Sequence, residues 1–277
     1  MLTDTINHFR ASEKETQFVA SLKDTIKRFS RPPASMHPNV KYLTIMACHT
    51  DSTLRINTIV NNLKYLRFKN NDIIIINSKN TKHGNNLKTI CNNMSIQYIE
   101  ILNDTALDSG KWMHVLKHNS IHPYKYVVFT NDSFYINNPV CHFYNLMMTR
   151  NVDLYGYNDS TQITYHYQSY LFGIKKESIH KFITHYESVR HLLTDYLSVV
   201  SNIELKLTSI FQSKDCFLKI GNFYKHKDKN IFFNSDSLYI KLMQNQLLPF
   251  IKLKRLIADR NVKNKSTISN QLNLNIK

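Results

Sequence analysis

Between residues 40 and 130 the chain alternates between near-continuous apolar runs and stretches whose apolar positions recur at helical spacing. VKYLTIMAC (40–48), DIIIINS (72–78), SIQYIEIL (95–102) and YKYVVFT (124–130) read as strands buried on both faces. TLRINTIVNNLKYLRF (53–68), NNLKTICNNM (85–94) and SGKWMHVLKHNS (109–120) read as the helices between them. Strand and helix in strict turn predict an α/β fold with a mostly parallel central sheet flanked by helices.

Ahead of this region, TQFVASLKDTIKRFS (16–30) places Phe18, Leu22, Ile26 and Phe29 on one helical face, and RPPASMHPN (31–39) follows with three prolines. Residues 1–35 are therefore expected to be a helical extension and linker before one domain spanning 36–258. Past Pro139 the pattern loosens. CHFYNLMMTR (141–150) predicts a helix, VDLYGY (152–157) a strand and SYLFGIK (169–175) a second apolar run beyond a polar loop. ESIHKFITHYESV (177–189) predicts a helix, and SNIELKLTSIFQS (201–213), CFLKI (216–220) and SLYIKLMQNQLLPFIKLKRLI (237–257) complete the domain. The polar tail 259–277 is expected to be poorly ordered.

Composition changes this picture in two ways. The 277 residues carry 36 Lys and Arg against 20 Asp and Glu, a net charge of +16. Such an excess attracts polyanions such as nucleic acid, anionic lipid or phosphorylated ligands. It is equally the mark of a genome that favours Lys, Asn and Ile, and no nucleic-acid-binding motif accompanies it. The four cysteines show no CxxC spacing, and three lie in or beside apolar runs, which predicts buried free thiols and a reducing, cytoplasmic setting. No secretory leader is read in MLTDTINHFRASEKE, and no apolar run has the length of a membrane span.

In an open parallel sheet, ligands bind beyond the carboxyl ends of the strands. Here those ends carry His49, Thr50, Asp51 and Ser52; Asn77, Ser78 and Lys79; Asn103, Asp104 and Asp108; and Thr130, Asn131, Asp132 and Ser133. Each residue is also an ordinary turn former or helix cap. Their concentration on one edge of a basic chain points to a binding crevice. Neither GxGxxG nor GxxxxGK[ST] follows the first strand, which disfavours dehydrogenase and P-loop chemistry. A carboxylate such as Asp132 can instead hold Mg²⁺ or Mn²⁺ against a nucleotide diphosphate.

NDTALDSGKW (103–112), YKYVVFTNDSFYINNP (124–139), VDLYGYNDSTQITYHYQSYLFGIKK (152–176), NIELKLTSIF (202–211) and LLPFIKLKRLI (247–257) together resemble the GT-A glycosyltransferases, specifically the rhamnan-synthesis protein F type. The resemblance implies a GT-A-like, Rossmann-like domain with a nucleotide-binding half (36–139) and an acceptor half (140–258). It implies an enzyme that moves a sugar, rhamnose or another deoxyhexose, from a dTDP- or UDP-linked donor to a glycan or lipid-linked glycan, with inversion. In this reading His49, Thr50, Asn77, Asp108, Lys111, Asn131 and Asp132 bind the donor. Asp132 occupies the position of the family's DxD motif and would be the metal ligand. The sequence there is Thr130-Asn131-Asp132, one carboxylate instead of two, so Lys or Arg is an alternative neutraliser of the leaving diphosphate.

His166, Gln168 and Ser169 of YHYQSY would line the acceptor side. Glu204, set among Ile203, Leu205 and Leu207, matches the general base, with Asp159 of the YNDS loop as second candidate. Trp112 is better explained by core packing than by sugar stacking. The basic C-terminal segment fits peripheral contact with an anionic membrane. The other reading is a basic polyanion- or nucleic-acid-binding protein without catalysis; the transferase reading expects no nucleic-acid partner.

Overall fold

The computed structural model describes residues 2–102, 105–220, 242 and 247–253, with side chains from Thr16 onward. Asn103, Asp104, most of 237–257 and the tail 259–277 lie outside the described residues. The strands are β1 (Tyr42–Cys48), β2 (Asn71–Ser78), β3 (Gln97–Ile101), β4 (Tyr126–Asn131), β5 (Phe134–Ile136), β6 (Leu154–Ser160), β7 (His166–Tyr167), β8 (Leu171–Lys175), β9 (Lys214–Leu218) and β10 (Phe250–Lys252). The helices are α1 (Leu2–Phe29), α2 (Pro33–Met36), α3 (Thr53–Leu66), α4 (Gly84–Asn93), α5 (Leu107–His118), α6 (Cys141–Arg150), α7 (Ile179–Val189), α8 (Tyr196–Val199) and α9 (Leu207–Ile210).

The main sheet runs β3-β2-β1-β4-β8-β6-β7, with β9 also paired to β6. β1 to β4 are mutually parallel, as the alternating pattern predicts. β8 enters antiparallel between β4 and β6, with Thr130 opposite Leu171 and Gly156 opposite Phe172. That single reversal has a positional consequence. The beginning of β8 and the end of β6 arrive at the same edge as the carboxyl ends of β1, β2 and β4.

Both faces of the sheet are covered, because alternate residues of each central strand must go to opposite sides. Tyr42, Met46, Ile73, Ile75 and Val128 pack with Ile59, Leu63 and Leu87 and with Phe143 and Met147. Leu43, Ile45, Ala47, Ile74, Ile76 and Phe129 pack with Trp112, Val115, Ile179 and Phe182 on the other side. Trp112 is a core residue, edge-on to Phe129 and Phe172, with its indole N–H donated to the Thr130 carbonyl. β3 departs from the expectation: as an edge strand it is only half-covered, with Gln97 and Glu100 exposed.

Leu22 of α1 is buried against the first of these clusters, with Phe18, Ile26 and Phe29 partly buried beside it, the face read from the sequence. Asn145 of α6 ends the helix by donating its amide to the carbonyls of Phe29 and Arg31. β6 runs through the stretch expected to be a polar loop, because Asp159 and Ser160 pair with Tyr167 and His166. Gly156 permits this folding-back: a Cβ there would meet the Tyr167 ring at 2.7 Å.

Beyond β4 the chain turns into β5, which forms a separate ribbon with β10. Asn62 of α3 clamps this ribbon. Its amide donates to the Phe134 carbonyl at 2.7 Å, and its oxygen accepts the Ile136 N–H at 2.8 Å. Asn62 is 1% exposed, so water has no access to replace these bonds. Asn62→Leu is expected to strand both buried backbone groups and lower stability by about 2–4 kcal/mol, read as a lower urea midpoint at unchanged m-value.

Candidate functional site

Asp132 follows β4 directly and is 3% exposed. Its Oδ2 accepts the His49 backbone N–H at 2.8 Å, and its Oδ1 accepts Nη1 of Arg55 at 2.5 Å. Arg55 stands in the first turn of α3 and also reaches Asp51, Nε to Oδ1, at 3.3 Å. Burial pushes the Asp132 carboxyl up to about 6, against the pull of Arg55 and the His49 N–H. The His49 ring meets Ser78 Oγ at 3.0 Å, and burial lowers its pKa, with Lys111 acting in the same direction.

Asp108 lies in the first turn of α5, next to Leu107, whose φ of 53° is a left-handed conformation rare for a branched side chain. Lys111, one turn on and buried, faces its carboxylate at 3.8 Å. Asn131 hydrogen-bonds the same carboxylate while its Oδ1 accepts from the N–H and hydroxyl of Ser133. Desolvation raises the Asp108 pKa, opposed first by Lys111.

Glu204 closes a π-helical turn, Val200–Glu204, ahead of α9. π turns interrupt the regular ladder and occur often at functional sites. Burial raises the Glu204 pKa; Ser169 opposes the shift by hydrogen bonding to it, Asp108 adds to it, and Lys252 of β10 opposes it. Asp108 therefore links the two ends of the crevice, since its charge acts on both Asp132 and Glu204. Arg55 and Lys111 act on the Asp132 and Asp108 carboxyls, and Lys252 acts on Glu204.

The remaining sequence-predicted residues divide differently. Thr50 and Asn77 are fully buried and bonded to one another, with Thr81 and Tyr98 completing the network. They hold the β1 and β2 ends together. His166 bonds the Thr164 carbonyl through Nδ1 and meets the Gln168 amide nitrogen at Nε2, an arrangement that suits the neutral ring. Burial lowers its pKa in agreement. Asp159 lies on β6 instead of in a loop; it accepts the Ile220 N–H at 2.5 Å and hydrogen-bonds Tyr165. Glu204 is coupled in charge to Asp108.

Arg55 and Lys252 were not anticipated as site residues. Arg55 left a signal in the sequence, because a cation in a helix's first turn opposes the macrodipole and needs an anionic partner. For Lys252 no local signal exists; the pairing of β10 with β5 places it.

Among the described residues, the donor set around Asp132 does not suit a divalent ion. Both Asp132 oxygens are engaged, and Thr130, bonded to the Tyr170 carbonyl, stands where the motif's other carboxylate is wanted. Among the described residues no group of three or more His, Cys, Asp or Glu is placed to hold a metal.

No family model matches the chain, and no curated protein matches it. Solved structures with similarity include Staphylococcus aureus TarS, at 11% identity and TM-score 0.36 over 44% of this chain and 22% of that one. The mannosyltransferase PcManGT from Pyrobaculum calidifontis, in complex with GDP-Man and Mn²⁺, aligns at 10% identity and TM-score 0.41 over 65% of this chain and 56% of that one. 4-Diphosphocytidyl-2C-methyl-D-erythritol synthase from Anaerococcus prevotii aligns at 8% identity and TM-score 0.47, over 76% of this chain and 99% of that one. The chain thus spans about a fifth of TarS and just over half of the mannosyltransferase.

The raised Asp132 pKa has a stability consequence with a definite sign. The folded state holds this proton more tightly than the unfolded chain does, so the stabilisation is full below the unfolded value near 4 and is lost as pH rises through about 6. An Asp132→Asn protein lacks this dependence. Its stability relative to the parent should rise by roughly 1 kcal/mol between pH 5 and pH 8, measured by urea unfolding at both values.

Proposed function

We propose that the chain is a GT-A-like glycosyltransferase that moves a sugar from a nucleoside-diphosphate donor to a hydroxyl of a glycan or lipid-linked glycan, with inversion. One observation supports this reading: the Asp108 charge acts on both Asp132 and Glu204, with Arg55 paired to Asp132 and Lys111 to Asp108. A donor diphosphate would lie along the Arg55–Lys111 side. Glu204 would stand across from it and take the proton from the acceptor hydroxyl as the sugar carbon is attacked from the face opposite the leaving group.

The donor sugar, rhamnose or another deoxyhexose on dTDP or UDP, belongs to this proposal through the sequence resemblance alone. The setting, cytoplasmic and peripheral at an anionic membrane, is proposed from the free cysteines and the basic C-terminal segment. Among the described residues no helix is long and apolar enough to cross a membrane.

A thermal-shift screen of nucleotide-sugars should find one that raises the melting temperature. With that donor, Glu204→Gln should lower kcat about 100-fold or more while changing the donor Kd little, and Asp132→Ala should abolish turnover. The parental rate should fall as pH drops through the elevated Glu204 pKa, because a base must be deprotonated to act, and the acid limb should lie above the ordinary glutamate range. Both variants transferring sugar at the parental rate would remove the assignment.

A further inference from the structure

We propose that Arg55 supplies the positive charge against the donor diphosphate, with Lys111 beside it, in the place a carboxylate-bound divalent ion would otherwise take. The proposal rests on the donor reading above and specifies how that donor is held. Three observations lead to it. Asp132, the carboxylate positioned for a metal, already has one oxygen on Nη1 of Arg55 and the other on the His49 N–H. The preceding Asn131 is neutral, and its side chain is spent on Ser133 and Asp108. The guanidinium is held at two points, Nε by Asp51 and Nη1 by Asp132, and Nη2 has no partner among the described residues.

Arg55 pairs the buried Asp132, and its placement leaves it room to do more. It sits in the first turn of α3, where the helix dipole disfavours positive charge, and its side chain remains 31% exposed at the crevice. Its planar fork matches the geometry of phosphate oxygens, and it stays protonated at any pH the fold survives. Lys111 adds a second positive charge, one turn into α5, buried and 3.8 Å from Asp108. Both cations thus lie within the first two turns of their helices, each with an acid beside it.

During transfer the bond between the sugar's anomeric carbon and the diphosphate oxygen breaks, and its electron pair goes to that oxygen. The acceptor oxygen forms the new glycosidic bond, and its proton passes to Glu204. Arg55 gives up no proton; it offsets the charge that grows on the leaving oxygen. Asp132 is then a positioning residue that aims the guanidinium.

Titration calorimetry of UDP, dTDP and GDP into the full chain, once with EDTA and once with Mn²⁺, tests this. For whichever nucleotide binds, the parent Kd should agree within about twofold in the two buffers. Arg55→Gln should weaken it tenfold or more, and Arg55→Lys, which keeps the charge and the Asp132 ion pair, should fall between. Circular dichroism reports whether each variant folds, and Arg55→Lys serves if Arg55→Gln does not. Binding that needs Mn²⁺, or parental affinity in a folded Arg55 variant, overturns the Arg55 role and leaves the donor reading standing. If none of the three nucleotides binds in either buffer, the donor reading falls and the Arg55 role falls with it.

Discussion

The contact between Asp132 and Arg55 is the constraint around which the carboxyl edge of the sheet is arranged. A carboxylate at 3% exposure is costly unless it is paired and hydrogen-bonded. Asp132 meets that demand with one bond to the end of β1, through the His49 N–H, and one to the start of α3, through Arg55. Its own N–H donates to the Ala47 carbonyl, so the residue is fixed on both main-chain and side-chain sides. The β4–β5 turn is thereby tied to β1 and α3 at the point where a parallel sheet opens its crevice. Asn62 repeats the tie two turns further along α3, and the β5–β10 ribbon hangs from it.

The second half of the chain completes the crevice by a change of strand direction. Because β8 runs against β4 and β6, its first residues and the preceding Ser169 emerge at the carboxyl edge. Ser169 then meets Glu204, which the π turn presents from outside the sheet. A chain that had continued the parallel pattern would have needed another helical crossover to bring a strand to this place, and its start would have faced the opposite edge. Antiparallel insertion lets the first and second halves of the chain share one rim.

Much of this was legible in the sequence, for identifiable reasons. The continuous apolar runs of β1, β2 and β4 have no other low-energy use than strands covered on both faces, and α1 announced its buried stripe by the spacing of Phe18, Leu22, Ile26 and Phe29. Asp132 was visible as a lone acid closing an apolar strand. The extension of β6 through Asp159 was not, since YNDS has turn-forming composition and becomes strand only when β7 pairs with it. Thr50 and Asn77 were read as ligand-facing. Nothing local distinguishes an amide that meets a ligand from one that joins two strand ends, and that choice was made by Thr81 and Tyr98, distant from Thr50 in the chain. Arg55 was overlooked because its partner Asp132 lies 77 positions away.

The charge arrangement restricts what kind of ligand the crevice can accept. Asp132, Asp108 and Glu204 are each already biased toward the neutral form by burial, and each is held back from it by a neighbouring cation. An anionic ligand entering without further compensation would push all three pKa values higher and leave Glu204 protonated, unable to act as a base. A ligand that draws Arg55 and Lys111 toward itself acts chiefly at the Asp132 and Asp108 end. Glu204 keeps Lys252 and Ser169 as separate partners there, so its ionised form retains support when the other cations turn to the ligand. On the proposed reading, the separation of the cations into two groups, one near the starts of α3 and α5 and one on the β10 ribbon, would let an anion and a base be held side by side.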